Sequence, residues 1–180
     1  ISPLMNELYG DKMILFKDKL NWKIGGGKGF KAHQDHPAWN DFEPTTYATV
    51  ALFANNSTIE NGCLEFGTSD KKIKCLCPYN KSGLGELDIE YENSLNWTPQ
   101  PSTPKDLLIF DSFVPHRSHE NKTNDPRRIF YFTLNQEKYG NLYDEYTIKK
   151  RTEFPPDIER KDNNNIKIHG NKYNLANPIE

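Results

Sequence analysis

The triplet His33-Gln34-Asp35 sets an imidazole and a carboxylate two residues apart, and on an extended backbone side chains at that spacing project to the same side. Both groups can then grip one ion while Gln34 faces elsewhere. A third ligand candidate comes far downstream, where the apolar run DLLIFDSFVPH ends and His116 follows Pro115 at the exit of the expected strand. Two histidines and one carboxylate occupy one face of a metal and leave its other positions open, the arrangement of non-haem Fe(II) oxygenases. Eleven residues beyond His116 comes Arg127, a spacing that suits an antiparallel return strand carrying a guanidinium back beside the ion. Arginine holds a carboxylate in a bidentate fork. A 2-oxoglutarate cosubstrate needs its distal carboxylate fixed while its 2-oxo acid end chelates iron, so His33, Asp35, His116 and Arg127 together describe a complete site.

Other residues compete for roles in this site. His119 lies three residues past His116, but the Pro-His strand exit favours His116 and leaves His119 beside the ligands or in solvent. His36 lines the substrate pocket or is exposed, and both readings stay open. Trp39, Phe42 and Tyr47 are core packing or an aromatic wall facing the substrate. Arg128 alternates with Arg127 and should face away, Arg117 should make a surface ion pair, and His169 should be superficial. Neither Asp111 nor Asp106 is expected to touch the ion; the turn before the strand is expected at Pro104-Lys105-Asp106. Cys63, Cys75 and Cys77 are odd in number, and Cys-x-Cys without a second pair lacks structural-zinc spacing. They read as reduced thiols in a cytosol.

The elements that must position these groups are short. In 180 residues the chain has 12 Pro, 11 Gly, 10 Phe, 9 Tyr and 3 Trp, which predicts one domain of many strands and turns. Residues 13–23, MILFKDKLNWK, read as a strand with Ile14, Phe16, Leu20 and Trp22 on a core face and Lys17, Lys19, Asn21 and Lys23 opposite. The glycines at 25, 26, 27 and 29 predict a flexible turn; no Gly-Lys-Ser/Thr follows, so they are no phosphate loop. Further strands are expected at 46–54, 62–67, 106–113 and 128–135. Lys71 to Pro104 reads as a polar surface excursion with a weak strand at LDIEYE, and the chain after Asn135 as partly irregular. A formal net charge of −2 argues against nucleic acid and anionic membranes as main partners. No apolar run reaches the ~20 residues of a membrane span, and ISPLMNELYG lacks the parts of a signal peptide. A cytoplasmic protein with a small-molecule substrate is expected, its oligomeric state left open.

The order HQD, then a long interval, then PHRSHENKTNDPRR resembles the phytanoyl-CoA dioxygenase family, whose distal block has a His, one residue, Ser, two residues, Asn, and an Arg eleven after the His. Here these are His116, Ser118, Asn121 and Arg127. The stretch LFKDKLNWKIGGGKGFKAHQDHPAW is similar to a bacterial branch that holds ectoine hydroxylases and aminoalkylphosphonate dioxygenases. The resemblance implies a double-stranded β-helix (a jelly roll, cupin-like) dependent on Fe(II), 2-oxoglutarate and O2, with Asn21, Gln34 and Ser118 helping to bind 2-oxoglutarate. It runs from about Lys12 to Asn135, with PPDIER and ANPIE suiting the phosphonate branch. That implies a single dioxygenase domain over 1–180, with a core at 12–135, a C-terminal extension at 136–180, and the family's N-terminal helical part missing ahead of residue 1. Inside such a barrel the odd-numbered face of residues 17–23 would point into the site. The expected activity is hydroxylation of a small polar metabolite, an aminoalkylphosphonate in the sharpest form. Lys19, with Lys17, would meet the anionic end, and Trp39, Tyr47 and Asp41 or Glu43 the cationic end. Rival readings are a catalytically silent binding module of this fold, a hydroxylase of ectoine-like or acyl-CoA substrates, and a cupin-type Zn or Mn protein, which would have no use for Arg127 in this register.

Overall fold

The computed structural model describes residues 2–70, 73–80 and 85–153. In chain order its elements are α1 (Ser2–Tyr9), β1 (Met13–Lys23), β2 (Phe30–His33), a 3-10 turn at His36–Trp39, β3 (Tyr47–Phe53), β4 (Leu64–Thr68), α2 (Ile89–Ser94), β5 (Asn96–Gln100), β6 (Leu107–Asp111), β7 (His116–Ser118), β8 (Arg127–Gln136), a 3-10 turn at Glu137–Tyr139 and α3 (Tyr143–Glu153). The strands form two four-stranded antiparallel sheets, β1-β8-β3-β6 and β2-β7-β4-β5. This is the expected jelly roll. Among the described residues no helix is long and apolar enough to cross a membrane, and the three cysteines are free thiols.

The core follows from the alternation of β3, whose sequence YATVALF is apolar at nearly every position. Ala51 and Phe53 meet Leu64, Phe110 and Ile129 between the sheets. On the other face Ala48 and Val50 pack under α1, against Met5 and Met13. A strand buried on both sides needs apolar residues at both parities.

β1 departs from the constant phase expected of it. A β-bulge lies between Leu15 and Lys17, and one extra residue moves every later side chain to the opposite face. Met13 therefore packs beneath α1, whereas Phe16 turns inward to Trp39, Phe42 and Tyr47. Beyond the bulge Lys17 opposes Thr133, Lys19 opposes Tyr131, Asn21 opposes Ile129 and Lys23 opposes Arg127, and directly opposed residues share a face. The odd positions point into the barrel, as the resemblance implied. The core role expected of Leu20 and Trp22 is overturned, since they are 45% and 59% exposed on the outer face. There the Arg128 guanidinium lies 4.9 Å from the centre of the Trp22 ring.

Two further expectations are corrected. The segment from Lys71 to Pro104 is no surface excursion throughout: Cys77, Leu87 and Leu95 are buried with Ala32, and β5 is the edge partner of β4, a position that tolerates Pro99. The weak strand at LDIEYE is instead the start of α2, because the Asp88 carboxylate accepts from the Glu90 and Tyr91 amides and caps the helix. After Asn135 the chain forms α3, with Asp144 and Glu145 in its first turn and Lys150 and Arg151 in its last, charges that suit the helix dipole. PPDIER, ANPIE and His169 lie outside the described residues.

Candidate metal centre

His33 and His116 face each other across the β2–β7 pairing, their ring centres 4.2 Å apart. His33 Nδ1 donates to the Lys31 carbonyl at 2.7 Å and His116 Nδ1 to the Val114 carbonyl at 3.0 Å. A carbonyl only accepts, so both rings carry a proton on Nδ1 and turn Nε2 toward Asp35. Each Nε2 lies 3.9 Å from the same oxygen, Asp35 Oδ1, too far for a hydrogen bond. Asp35 stands at the N-cap position of the 3-10 turn, yet its side chain makes no capping bond. Three ligand atoms, one from each residue, lie within 4.8 Å of one another and converge without satisfying each other. Burial, reinforced by His116, pushes His33 down to about 3. Burial opposes the Asp35 charge, but His116, Lys17, His33 and Lys19 outweigh it and hold the carboxyl below its ordinary value. A neutral imidazole and an ionised carboxylate are the ligating forms, and this N, N, O set fits iron.

These residues line a cavity of about 460 Å³. At its base Arg127, 1% exposed, donates from Nη2 to Asn21 Oδ1 at 3.2 Å, while Nε and Nη1 are buried with no hydrogen-bond partner among the described residues. A buried guanidinium with two unused donors is costly unless an acceptor reaches it, and a carboxylate matches that fork. The Arg127 side chain thus fits the cosubstrate the fold family implies. Ser118 lines the same region, its Oγ accepting from Lys23 Nζ at 2.9 Å. Lys23 also donates to the carbonyls of His119 and Gly62. Burial first, then Arg127, pushes its amine down to about 7. Gly29 and Gly62 permit this close packing: a Cβ at either would stand 2.3 Å or 2.2 Å from the carbonyl oxygen of Ser118 or His119.

Of the residues expected at the site, Lys19, Lys17 and Trp39 line the cavity. Trp39 does so with an edge only, being 1% exposed within the cluster of Phe16, Phe42 and Tyr47. Three placements are corrected. Gln34 lies outside the cavity, its amide donating to the Cys75 and Phe113 carbonyls and accepting from the Cys77 amide and the Tyr79 hydroxyl. Period-two alternation turns it away from His33 and Asp35. His36 is bound to Ser112 Oγ at 3.1 Å and stacked on Phe113, away from the lining. Tyr47 is fully buried core. His119 stays outside the cluster, its Nε2 3.3 Å from Glu65, and Arg117 pairs with Glu65 and Glu92. Asp41 takes an ion pair from Lys149 at 3.0 Å.

Sequence reasoning missed the contribution of α3. Tyr143, Tyr146, Thr147 and Lys150 line the cavity together with Arg151. Their spacing of three, one and three residues is one helical face, a signal present in 143–151 but hidden by the polar composition. Tyr131, which also lines the cavity, was missed as well.

The family model described as phytanoyl-CoA dioxygenase matches residues 5–129. A 2-aminoethylphosphonate dioxygenase from uncultured bacterium HF130_AEPn_1 is 34% identical over 180 residues, all of this chain and 68% of that protein. A methylphosphonate hydroxylase from Gimesia maris is 40% identical over 154 residues, 86% of this chain and 57% of that protein. The chain thus spans between about half and two thirds of the length of these relatives. Among solved structures, EctD from S. alaskensis, crystallised with 2-oxoglutarate and 5-hydroxyectoine, superposes with a TM-score of 0.61 at 20% identity, covering 77% of this chain and 49% of that one. That likeness concerns the fold.

Proposed function

The chain belongs to the phytanoyl-CoA dioxygenase family, and from that premise we propose that it is an Fe(II)- and 2-oxoglutarate-dependent dioxygenase that hydroxylates a small aminoalkylphosphonate. The observation that carries this reading is the convergence of two Nε2 atoms on one Asp35 oxygen in a cavity that Arg127 also lines, with two buried guanidinium donors left without a partner among the described residues. His33, Asp35 and His116 would hold the iron, which when bound supplies O2 activation coupled to decarboxylation of the 2-oxo acid. The chain's own residues do the rest. The carbonyls of Lys31 and Val114 fix both imidazoles in the ligating tautomer. Arg127 anchors the distal carboxylate of 2-oxoglutarate, with Asn21 orienting the guanidinium and Ser118 adding a hydroxyl. Lys17 and Lys19 face the anionic end of the substrate and the exposed edge of Trp39 its cationic end.

Relatives that act on phosphonates and a cavity of about 460 Å³, within the range of small-metabolite sites, support this substrate class. Iron-dependent succinate release from 2-oxoglutarate tests it, with 2-aminoethylphosphonate, its trimethyl analogue, methylphosphonate, ectoine and a phytanoyl thioester as candidate substrates. Stimulation above the uncoupled rate by a phosphonate is the expected result. Stimulation by ectoine or the thioester alone removes the phosphonate while leaving the dioxygenase, and no succinate at all favours a silent binding module.

A further inference from the structure

Building on the dioxygenase reading, we propose that Lys23 is a positioning residue that commits the Ser118 hydroxyl to donating into the cavity, so that Ser118 and Arg127 together select a 2-oxo acid with a distal carboxylate over one without it. Lys23 is the last residue of β1, 4% exposed, and stands directly opposite Arg127 on β8. Its amine reaches three oxygens: Ser118 Oγ at 2.9 Å, the Gly62 carbonyl at 3.4 Å and the His119 carbonyl. The packing around it leaves no slack. A Cβ at Gly62 would stand 2.9 Å from Lys23 Nζ, and one at Gly27 would stand 3.1 Å from its Cγ.

The direction of these bonds decides what Ser118 can do. An ammonium has three hydrogens and no lone pair, and here three oxygens receive them. Two are carbonyls, which only accept, and the third is the Ser118 hydroxyl, which therefore accepts as well and keeps its own proton for another partner. Among the described residues Ser118 Oγ makes no hydrogen bond but this one. Ser118 is 5% exposed and lines the cavity, as does Arg127, whose Nε and Nη1 are likewise buried without a partner. Two guanidinium N–H groups and one hydroxyl thus await acceptors, and a carboxylate offers two oxygens with about four lone-pair sites. A neutral amine at Lys23 would instead give its two hydrogens to the carbonyls and take the Ser118 proton on its lone pair, which withdraws the donor from the cavity. The charged and titratable groups facing the amine are Arg127 from β8 and Cys63 from ahead of β4. From β2 it meets the Phe30 ring, 5.8 Å away, and the His119 imidazole turns off to Glu65. Burial, followed by Arg127 and against Cys63, holds the amine at about 7. A carboxylate on Arg127 offsets that repulsion and favours the donating form.

The test is anaerobic binding of 2-oxoglutarate and 2-oxopentanoate with Fe(II) present. These probes share a five-carbon 2-oxo acid and differ in the distal carboxylate. Each Kd is read from the charge-transfer band of the chelate, and the ratio of the two cancels whatever a variant or the pH does at the metal end. The full 180-residue chain is expected to favour 2-oxoglutarate by about a hundredfold or more. Ser118→Ala should cut that preference at least about fivefold. Lys23→Met should cut it as far with 2-oxopentanoate binding unchanged, and the double variant should lose no more than Ser118→Ala alone. If Lys23→Met does not match the circular dichroism of the parent, a pH series on the parent and on Ser118→Ala decides: the preference should fall in the parent as pH rises through about 7 and should flatten in Ser118→Ala. An unchanged preference in a folded Lys23→Met, losses that multiply in the double variant, or a pH dependence as steep in Ser118→Ala as in the parent overturns the role of Lys23 while leaving the dioxygenase standing. If neither acid forms the band in the parent chain, the dioxygenase reading fails and takes this role with it.

Discussion

On the wall made by β2, β7 and the start of β8, each functional group is fixed by neighbouring backbone or by a buried partner: His33 by Lys31, His116 by Val114, Arg127 by Asn21, Ser118 by Lys23. On the wall made by β1 and α3 the polar groups are long lysine chains resting on rings or on helix-borne neighbours, as Lys17 rests on Trp39 and Tyr146. On the proposed function, the first wall is preorganised for a metal and a 2-oxo acid, and the second, with its longer side chains, faces the substrate.

Arg127→Ala should break the first wall most severely after loss of a metal ligand. Removing a buried charge-assisted fork costs about 2–5 kcal/mol, so the 2-oxoglutarate requirement should rise roughly a hundredfold or more while Fe(II) still binds. Arg128→Ala, on the outer face beside Trp22, should change neither, and titrating succinate release with 2-oxoglutarate compares the two.

Gln34→Ala separates support from chemistry. Its amide satisfies three backbone groups and the Tyr79 hydroxyl, and orphaning several buried polar groups should lower stability by about 2–4 kcal/mol. Urea unfolding should register that loss with little change in cosubstrate affinity at temperatures where the variant stays folded; the opposite pattern would move Gln34 into the cavity.

pH should sharpen the second wall. Lys150 is pushed down to about 8 by burial and Lys17, against Glu153 on its own helix, and Lys19 across the cavity is coupled to it. Its charge is present below about 8 and lost above, so affinity for an anion of constant charge such as methanesulfonate should fall as pH rises through that value, by at most about tenfold per unit for one site, as binding titrations at several pH values would show. Lys150→Arg keeps its charge, and the fall should become shallower as Lys19 alone titrates.

The smallest effect belongs to Trp22→Ser. Its ring is 59% exposed, and surface changes of this kind stay within about 0.5 kcal/mol apart from the lost Arg128 contact. A loss the size of a core truncation would restore the apolar face that the residue pattern of β1 suggested.

That suggestion shows where legibility stops. Five strands, β1 among them, and the convergence of His33, Asp35 and His116 were readable because they rest on short spacings and apolar runs: a period of two inside HQD, a Pro-His strand exit, eleven residues to a return strand. The phase of β1 was not, since the bulge at Leu15–Lys17 is made by tertiary pairing with β8 and one extra residue reverses inside and outside. Gln34 and Ser118 came from the same kind of resemblance, yet Ser118 lies in the cavity and Gln34 does not; a motif transfers residue identities without saying which way each one points. α3 was missed because its cavity face is polar, and its period is carried by Tyr, Thr and Lys rather than by the apolar residues that reveal a helix.

Anaerobic addition of Fe(II) and then 2-oxoglutarate, followed through the visible charge-transfer absorption of an Fe(II)–2-oxo acid chelate, tests the central claim most directly. The band should form in the parent chain and in His119→Ala, disappear in His33→Ala, Asp35→Ala and His116→Ala, and require far more 2-oxoglutarate in Arg127→Ala. A band that survives Asp35→Ala or His116→Ala, or that vanishes only in His119→Ala, would contradict the assignment of these three residues to the metal.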